Sequence, residues 1–185
     1  MKSYLITDPK YFSNNLNTFE NKLNNTIQEN NIDFICFRDK ESANYKELAE
    51  IFVKVSKQNN IKNIYINTHI NLSHSLNITG VHLTSKQFDK IPYSKSMGLK
   101  VIISCHNEID INKAIENKAD YITYSPIFDT PNKGDEKGIT NLDMIVEKYS
   151  STKIFALGGI ISEEHINLIK SVNAYGFASI RYFIK

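Results

Sequence analysis

The sequence predicts a closed (β/α)8 barrel formed by one α/β domain, 1–185. Three observations carry the expectation. Short apolar runs recur eight times along the chain, and most gaps between them have helical spacing. That alternation implies parallel strands joined by right-handed crossovers. Polar residues gather directly after the apolar runs, where barrels of this kind keep their active sites. The 185 residues are few for the fold, which typically takes about 250.

Taken in order, Tyr4–Thr7 reads as the first strand. Leu16–Glu29 reads as a helix, with Leu16, Phe19, Leu23 and Ile27 on one face. Phe34–Phe37 is the second strand and closes on Arg38-Asp39-Lys40. Tyr45–Ser56 is helical through Leu48, Ile51, Phe52 and Val55. Asn63–Asn67 is the third strand, Leu72–Leu76 a short helix and Gly80–Leu83 the fourth strand. Lys100–Ser104 is the fifth, followed by a helix over Asp110–Asn117. Tyr121–Tyr124 is the sixth strand, opening through Pro126 into a polar loop with Thr130, Asn132, Lys133 and Gly134. Leu142–Tyr149 is helical, and Lys153–Leu157 is a seventh strand running into Gly158-Gly159. Ser162 caps a helix over Glu163–Ser171 that carries Glu163 and Glu164 in its first turn. Tyr175–Ile180 is the eighth strand. Arg181–Lys185 is too short for a last helix, so that helix is expected to be short or missing. The apolar strand surface left bare should be covered by another element or by a second subunit in a homodimer.

The composition excludes several functions. Twenty-two basic and 20 acidic residues give a net charge of +2, and the lysines are scattered. Nucleic-acid binding therefore has no electrostatic footprint. No apolar run approaches the ~20 residues of a membrane span, and the N-terminus lacks the apolar core of a signal peptide. Cys36 and Cys105 lie in apolar runs with no metal-motif spacing, which fits a reducing cytosol and a cytoplasmic chain.

The strand ends form a polar ring with a positive bias. Arg38 and Lys40, two residues apart, point the same way along an extended chain and suit an anion, although solvated surface charge is the plain alternative. Asn67, Ser104, Thr130, Asn132 and Lys133 add hydrogen-bond groups. Gly158-Gly159 is either a simple turn or a barrel phosphate site, where bare N–H groups approach an anion. His106 is the strand-end group best suited to moving a proton near neutral pH. His69, His74, His82 and His165 read as structural or surface groups, with His82 holding the best functional claim of the four. Cys105 beside His106 is a poor nucleophile pair, because neighbours on a strand face opposite ways.

In order along the chain, Tyr4-Leu-Ile-Thr-Asp8, Phe37-Arg-Asp-Lys40, Ile64-Tyr-Ile-Asn67, Gly80-Val-His-Leu83, Ser104-Cys-His106, Ser125-Pro-Ile-Phe-Asp-Thr130 with Lys133, Ala156-Leu-Gly-Gly-Ile160 and Gly176-Phe-Ala178 resemble the motifs of the thiamine phosphate synthase / TenI superfamily. The resemblance implies a role in thiamine biosynthesis, acting on small phosphorylated thiazole or pyrimidine substrates. Synthases of this superfamily join hydroxymethylpyrimidine diphosphate to thiazole phosphate with Mg²⁺ and release pyrophosphate. TenI-type proteins are thiazole tautomerases and need only proton transfer.

The departures from the synthase pattern favour the TenI-like branch. Cys36 replaces a Gln, Thr68 replaces an Asp after the third strand, and Thr84-Ser-Lys-Gln87 replaces a stretch ending in a second Asp. In the synthases those two Asp residues hold Mg²⁺. The leading expectation is therefore a tautomerase acting on thiazole phosphate carboxylate. His106 would shuttle the proton, Gly158 and Gly159 would hold the phosphate with help from Arg181, and Arg38 and Lys133 would orient the carboxylate, with no metal. A synthase is the alternative, with Arg38, Lys40, Asn67, Ser104, Thr130 and Lys133 at its pyrophosphate site and Asp8 or Asp39 taking over the metal. A non-catalytic binder of thiamine or thiazole phosphate is the third.

Overall fold

A computed structural model describes residues 1–131 and 133–184. The chain runs β1 (Lys2–Ile6), α1 (Pro9–Phe12), α2 (Leu16–Glu29), β2 (Phe34–Phe37), α3 (Tyr45–Gln58), β3 (Asn63–Asn67), α4 (Ile70–Ser75), β4 (Gly80–Leu83), α5 (Ile91–Ser96), β5 (Lys100–Cys105), α6 (Glu108–Glu116), β6 (Tyr121–Tyr124), α7 (Gly138–Lys148), β7 (Ile154–Leu157), α8 (Glu163–Ser171) and β8 (Gly176–Ser179). The eight strands pair in sequence order, all parallel, and β8 closes on β1 through Tyr4↔Ala178. This is the expected (β/α)8 barrel.

Strand alternation sorts the apolar residues into two cores. Leu5, Ile35, Ile66, Val81, Ile103, Ile122 and Phe177 face outward and pack against the helices. Tyr4, Ile6, Phe34, Cys36, Tyr65, Ile102, Tyr121, Phe155 and Ala178 fill the barrel. Phe34 meets Phe155 edge-on with centroids 5.1 Å apart and stacks with Tyr65 at 6.0 Å. Glycine makes room for them: a Cβ on Gly80 would lie 2.8 Å from Tyr65 Cε1 and 2.0 Å from the Lys100 carbonyl oxygen.

Two short helices escape the sequence pattern. In α1, Pro9 stands in the first turn and Asp8 caps the end, accepting from the Lys10 N–H at 3.1 Å. In α5, only Ile91 and Ser94 of six residues are buried, too few to generate a period.

Among the described residues no long helix follows β8, and the tail itself covers the strand surface there. A 3-10 turn at Arg181–Phe183 stacks Phe183 on Phe177 at 5.7 Å and sets Tyr182 edge-on at 5.3 Å. Asn30, just past α2, donates to the Phe183 carbonyl at 3.4 Å. Phe183 is only 2% exposed, so the strand surface beneath it is covered by another element of the same chain.

Candidate active site at the barrel mouth

Inner-face parity carries through the strands to their C-terminal ends. It brings Asp8, Arg38, Asn67, His82, Ser104, His106 and Ser125 to the inside of the barrel top. At the ends of β1 and β2, Arg38 donates to Asp8 Oδ2 at 2.8 Å, each side chain about a quarter exposed. The Arg38 N–H is held by Thr7 Oγ1 at 3.0 Å. Lys40 is fully on the surface, yet it borders the same open hollow as Arg38, together with Lys10 and Lys22. Arg38 and Lys40 thus line one hollow beside the strand ends, where Asp8 and Glu41 supply opposite charge.

Below the mouth a polar column crosses the barrel. Tyr4, fully buried, places its hydroxyl 2.8 Å from His82 Nδ1. His82 Nε2 lies 3.2 Å from Ser104 Oγ, which is half-buried and faces the opening. Asn67 Nδ2 donates to the His82 carbonyl at 2.9 Å and ties β3 to β4. Burial, with the Arg38 cation nearby, pushes the His82 imidazole down to about 3, so it stays neutral at ordinary pH. The sequence pattern undervalues this column: it treats His82 as structural and leaves Tyr4 unnoticed among apolar neighbours. The inward parity of Tyr4, Ile6 and Asp8 is the signal that could have found it.

His106 is exposed at the end of β5. Its Nδ1 lies 3.1 Å from the Ser125 carbonyl oxygen and 3.3 Å from Ser125 Oγ. The carbonyl accepts only from a protonated Nδ1, and in that tautomer Nε2 carries the free lone pair. Cys105 points the other way into the outer core, and burial pushes its thiol well up. That removes it as a nucleophile, in line with the sequence reading.

The β6–α7 loop lies directly on the glycine pair. Ile127 N–H donates to the Leu157 carbonyl at 2.9 Å and Phe128 N–H to the Gly158 carbonyl at 3.1 Å. A Cβ on Gly158 would fall 2.7 Å from Pro126 Cα and 3.2 Å from Thr130 Oγ1; one on Gly159 would fall 2.5 Å from the Asp129 carbonyl oxygen. Both glycines have positive φ, 100° and 68°. The close approach that requires glycine here is the loop's own backbone. Thr130 is brought over Gly158, but its hydroxyl donates to the Phe128 carbonyl at 2.9 Å. The Lys133 side chain is exposed, and its N–H donates to the Thr130 carbonyl at 3.1 Å. Asn132 lies outside the described residues. Arg181 is exposed in the tail turn, which is anchored where Ser179 Oγ donates to the Ile160 carbonyl at 2.8 Å and accepts from the Tyr182 N–H at 3.1 Å.

The carboxylates at the mouth do not fit the Mg²⁺ that a synthase resemblance implies. Asp8 spends one oxygen on the α1 cap and the other on Arg38. Asp39 is 8% exposed and turns into its own loop, accepting from the Glu41 and Ser42 N–H groups at 2.9 and 3.0 Å. Burial pushes its carboxyl up, but these bonds outweigh it and hold the group below the usual range. Gln87 folds back so that its Oε1 accepts from the Thr84 N–H at 3.1 Å. Among the described residues, no three His, Cys, Asp or Glu side chains converge as a metal site. A hard divalent cation takes one or two free carboxylates. Asp8 is held by Arg38 and its cap, and Asp39 Oδ1 by its own loop, so neither stands as an unengaged carboxylate.

Comparison with known proteins fits the site to a lineage. The sequence profile described as thiamine monophosphate synthase (TMP-TENI) matches residues 3–183. The thiamine-phosphate synthase of Pelagibacter ubique (strain HTCC1062) is 29% identical over 187 residues, covering 98% of this chain and 87% of that protein. That of Clostridium acetobutylicum is 28% identical over 187 residues, covering 97% and 85%. The solved thiamine phosphate pyrophosphorylase from Pyrococcus furiosus superposes with a TM-score of 0.81 over 97% of this chain and 85% of that one. At 20% identity it shares the fold. These names favour the synthase alternative, and nothing among them specifically supports the tautomerase expectation. The match runs from the first strand of the barrel into the aromatic tail, and the chain belongs to the thiamine monophosphate synthase family.

Proposed function

We propose that this protein is a thiamine phosphate synthase, joining hydroxymethylpyrimidine diphosphate to thiazole phosphate with release of pyrophosphate. The observation that carries the reading is the family match over the whole barrel, with Arg38 and Lys40 at one hollow of the mouth and Lys133 on the loop after β6. In such a reaction the bond from the pyrimidine methylene carbon to the diphosphate breaks. The electron pair leaves with pyrophosphate, and the thiazole nitrogen forms the new bond. Fixed cations stabilise the departing charge most where water is scarce. Arg38 is suited to this: a planar fork, only about a quarter exposed, with one edge occupied by Asp8. Asn67, at the end of the neighbouring strand, and Ser104, on β5, are uncharged polar groups on the same inner face.

A tautomerase is kept as a second reading on one observation, the exposed His106 ring at the end of β5 with Nδ1 3.1 Å from the Ser125 carbonyl oxygen. A positioned base of this kind contributes roughly 10²–10⁴-fold. The test is to incubate the protein with both synthase substrates, with and without Mg²⁺, and separately with the thiazole carboxylate tautomer. Thiamine phosphate formation that is lost in Lys133→Ala supports the synthase. Tautomerisation alone, lost in His106→Ala, replaces it with the second reading. Tight binding with neither product would leave a non-catalytic binder.

A further inference from the structure

The Tyr4–His82–Ser104 column is more elaborate than packing requires. Tyr4 is completely buried, and a buried hydroxyl that fails to donate is costly. The strong acceptor in its reach is His82 Nδ1 at 2.8 Å. The Cys36 thiol also lies against it, but sulfur accepts weakly, and Cys36 Sγ itself lies 3.6 Å from the Phe37 carbonyl oxygen, its natural acceptor. If Tyr4 donates to Nδ1, the single proton of a neutral imidazole sits on Nε2. Nε2–H then donates across 3.2 Å to Ser104 Oγ. With its oxygen engaged from below, Ser104 must direct its own O–H elsewhere, and the free direction is the mouth.

We infer that Tyr4 is a positioning residue that fixes His82 as the Nε2–H tautomer, so that Ser104 is held as a hydrogen-bond donor to a diphosphate or phosphate oxygen at the barrel mouth. The inference deepens the proposed function, since it rests on an anionic ligand occupying that mouth. It also separates Ser104 from Thr130, whose hydroxyl is turned into its own loop. Ser104 stands ready to donate without rearrangement.

Two measurements test it on the full chain. In ¹⁵N-histidine-labelled protein, the His82 ring is identified by its loss in His82→Gln. It should show Nε2 protonated and Nδ1 bare at every pH from about 5 to about 8. In Tyr4→Phe the same ring should move towards the other tautomer or a mixture. Inorganic pyrophosphate binding, followed by calorimetry, should weaken about tenfold in Ser104→Ala, as expected for losing one hydrogen bond to a charged group. It should weaken by a smaller factor in Tyr4→Phe, with the melting transition of each variant checking that the fold is kept. A ring carrying its proton on Nδ1 in the unaltered protein overturns the inference. So does pyrophosphate affinity that is unchanged in Ser104→Ala. Absence of synthase turnover with both results intact would instead count against the proposed reaction and leave the column standing.

Discussion

Arg38 is the cation with most to offer an anion, and Asp8 is the residue that restrains it. The carboxylate takes one edge of the guanidinium at 2.8 Å and lowers the local positive potential. Asp8→Asn keeps an oxygen for the Lys10 N–H cap while removing the charge. In metal-free buffer this variant should bind pyrophosphate several-fold more tightly than the parent, whereas Arg38→Ala should lose roughly tenfold or more. Calorimetric titration decides. Weaker binding by Asp8→Asn in metal-free buffer would mean the carboxylate orients Arg38 more than it neutralises it. His82 supports a second expectation at this scale. Its folded pKa, about 3, lies below the ordinary value of 6.5, so the unfolded chain binds the extra proton first. Its contribution is complete above about pH 6.5 and is lost as pH falls from there towards 3. Unfolding free energy should drop by about 2 kcal/mol between about pH 7 and about pH 5. His69, also held low by partial burial, adds to the slope, while Asp33 and Asp39 act only below about pH 4. His82→Gln should remove most of that loss in urea titrations at the two pH values.

The helices that carry a long apolar stripe could be read from the chain. The 14 residues of α2 and the 9 of α8 fall on the expected bounds, because repeated burial of one face writes a period into the sequence. The short α1 and α5 could not, since four and six residues complete too few turns to show one. The Gly158-Gly159 turn was legible in position but not in cause. Its conformation and crowding come from a loop about thirty residues earlier, a contact no local pattern encodes. Gly159→Ala must push a methyl into the Asp129 carbonyl oxygen at 2.5 Å while holding φ at +68°. It should destabilise the protein by about 2 kcal/mol or more and displace the loop bearing Thr130 and Lys133. Gly134→Ala, on the same loop at φ +74° but with open space around its Cβ, should cost only about 1 kcal/mol. A thermal-melt comparison of the two separates crowding from backbone strain, and equal losses would remove crowding as the cause.

Across the whole barrel, the strand ends supply cations and uncharged donors but few free carboxylates, and this sets the balance between the family's chemistry and this chain's own donor set. Thr68 follows Asn67 at the end of β3 with φ +64°, a region that a β-branched residue enters at a cost and that Asp tolerates better. Gln87 uses its amide to close the turn after β4 on the Thr84 N–H, a bond that a shorter Asp carboxylate could retain only by facing the same N–H. Each is the position where the synthase resemblance places a metal-holding Asp; here Gln87 is engaged in its own turn, while the Thr68 N–H donates across to the His82 carbonyl at 3.0 Å. The double variant Thr68→Asp/Gln87→Asp should therefore create what the parent lacks, a pair of hard oxygen donors after adjacent strands, lining one hollow. The parent, titrated with Mg²⁺ in the absence of pyrophosphate, should show no saturable site, and the double variant should show one. With pyrophosphate present, affinity for Mg²⁺ should rise further in the variant, because the metal then shares its charge between protein carboxylates and phosphate oxygens. Thr68→Asp alone should leave the melting temperature unchanged or slightly higher, since it replaces a strained β-branched residue. A parent that binds Mg²⁺ as well as the double variant does would show that Asp8 or Asp39 leaves its present partner to serve as a ligand, and the barrel mouth would then be a metal site assembled only when the cation arrives.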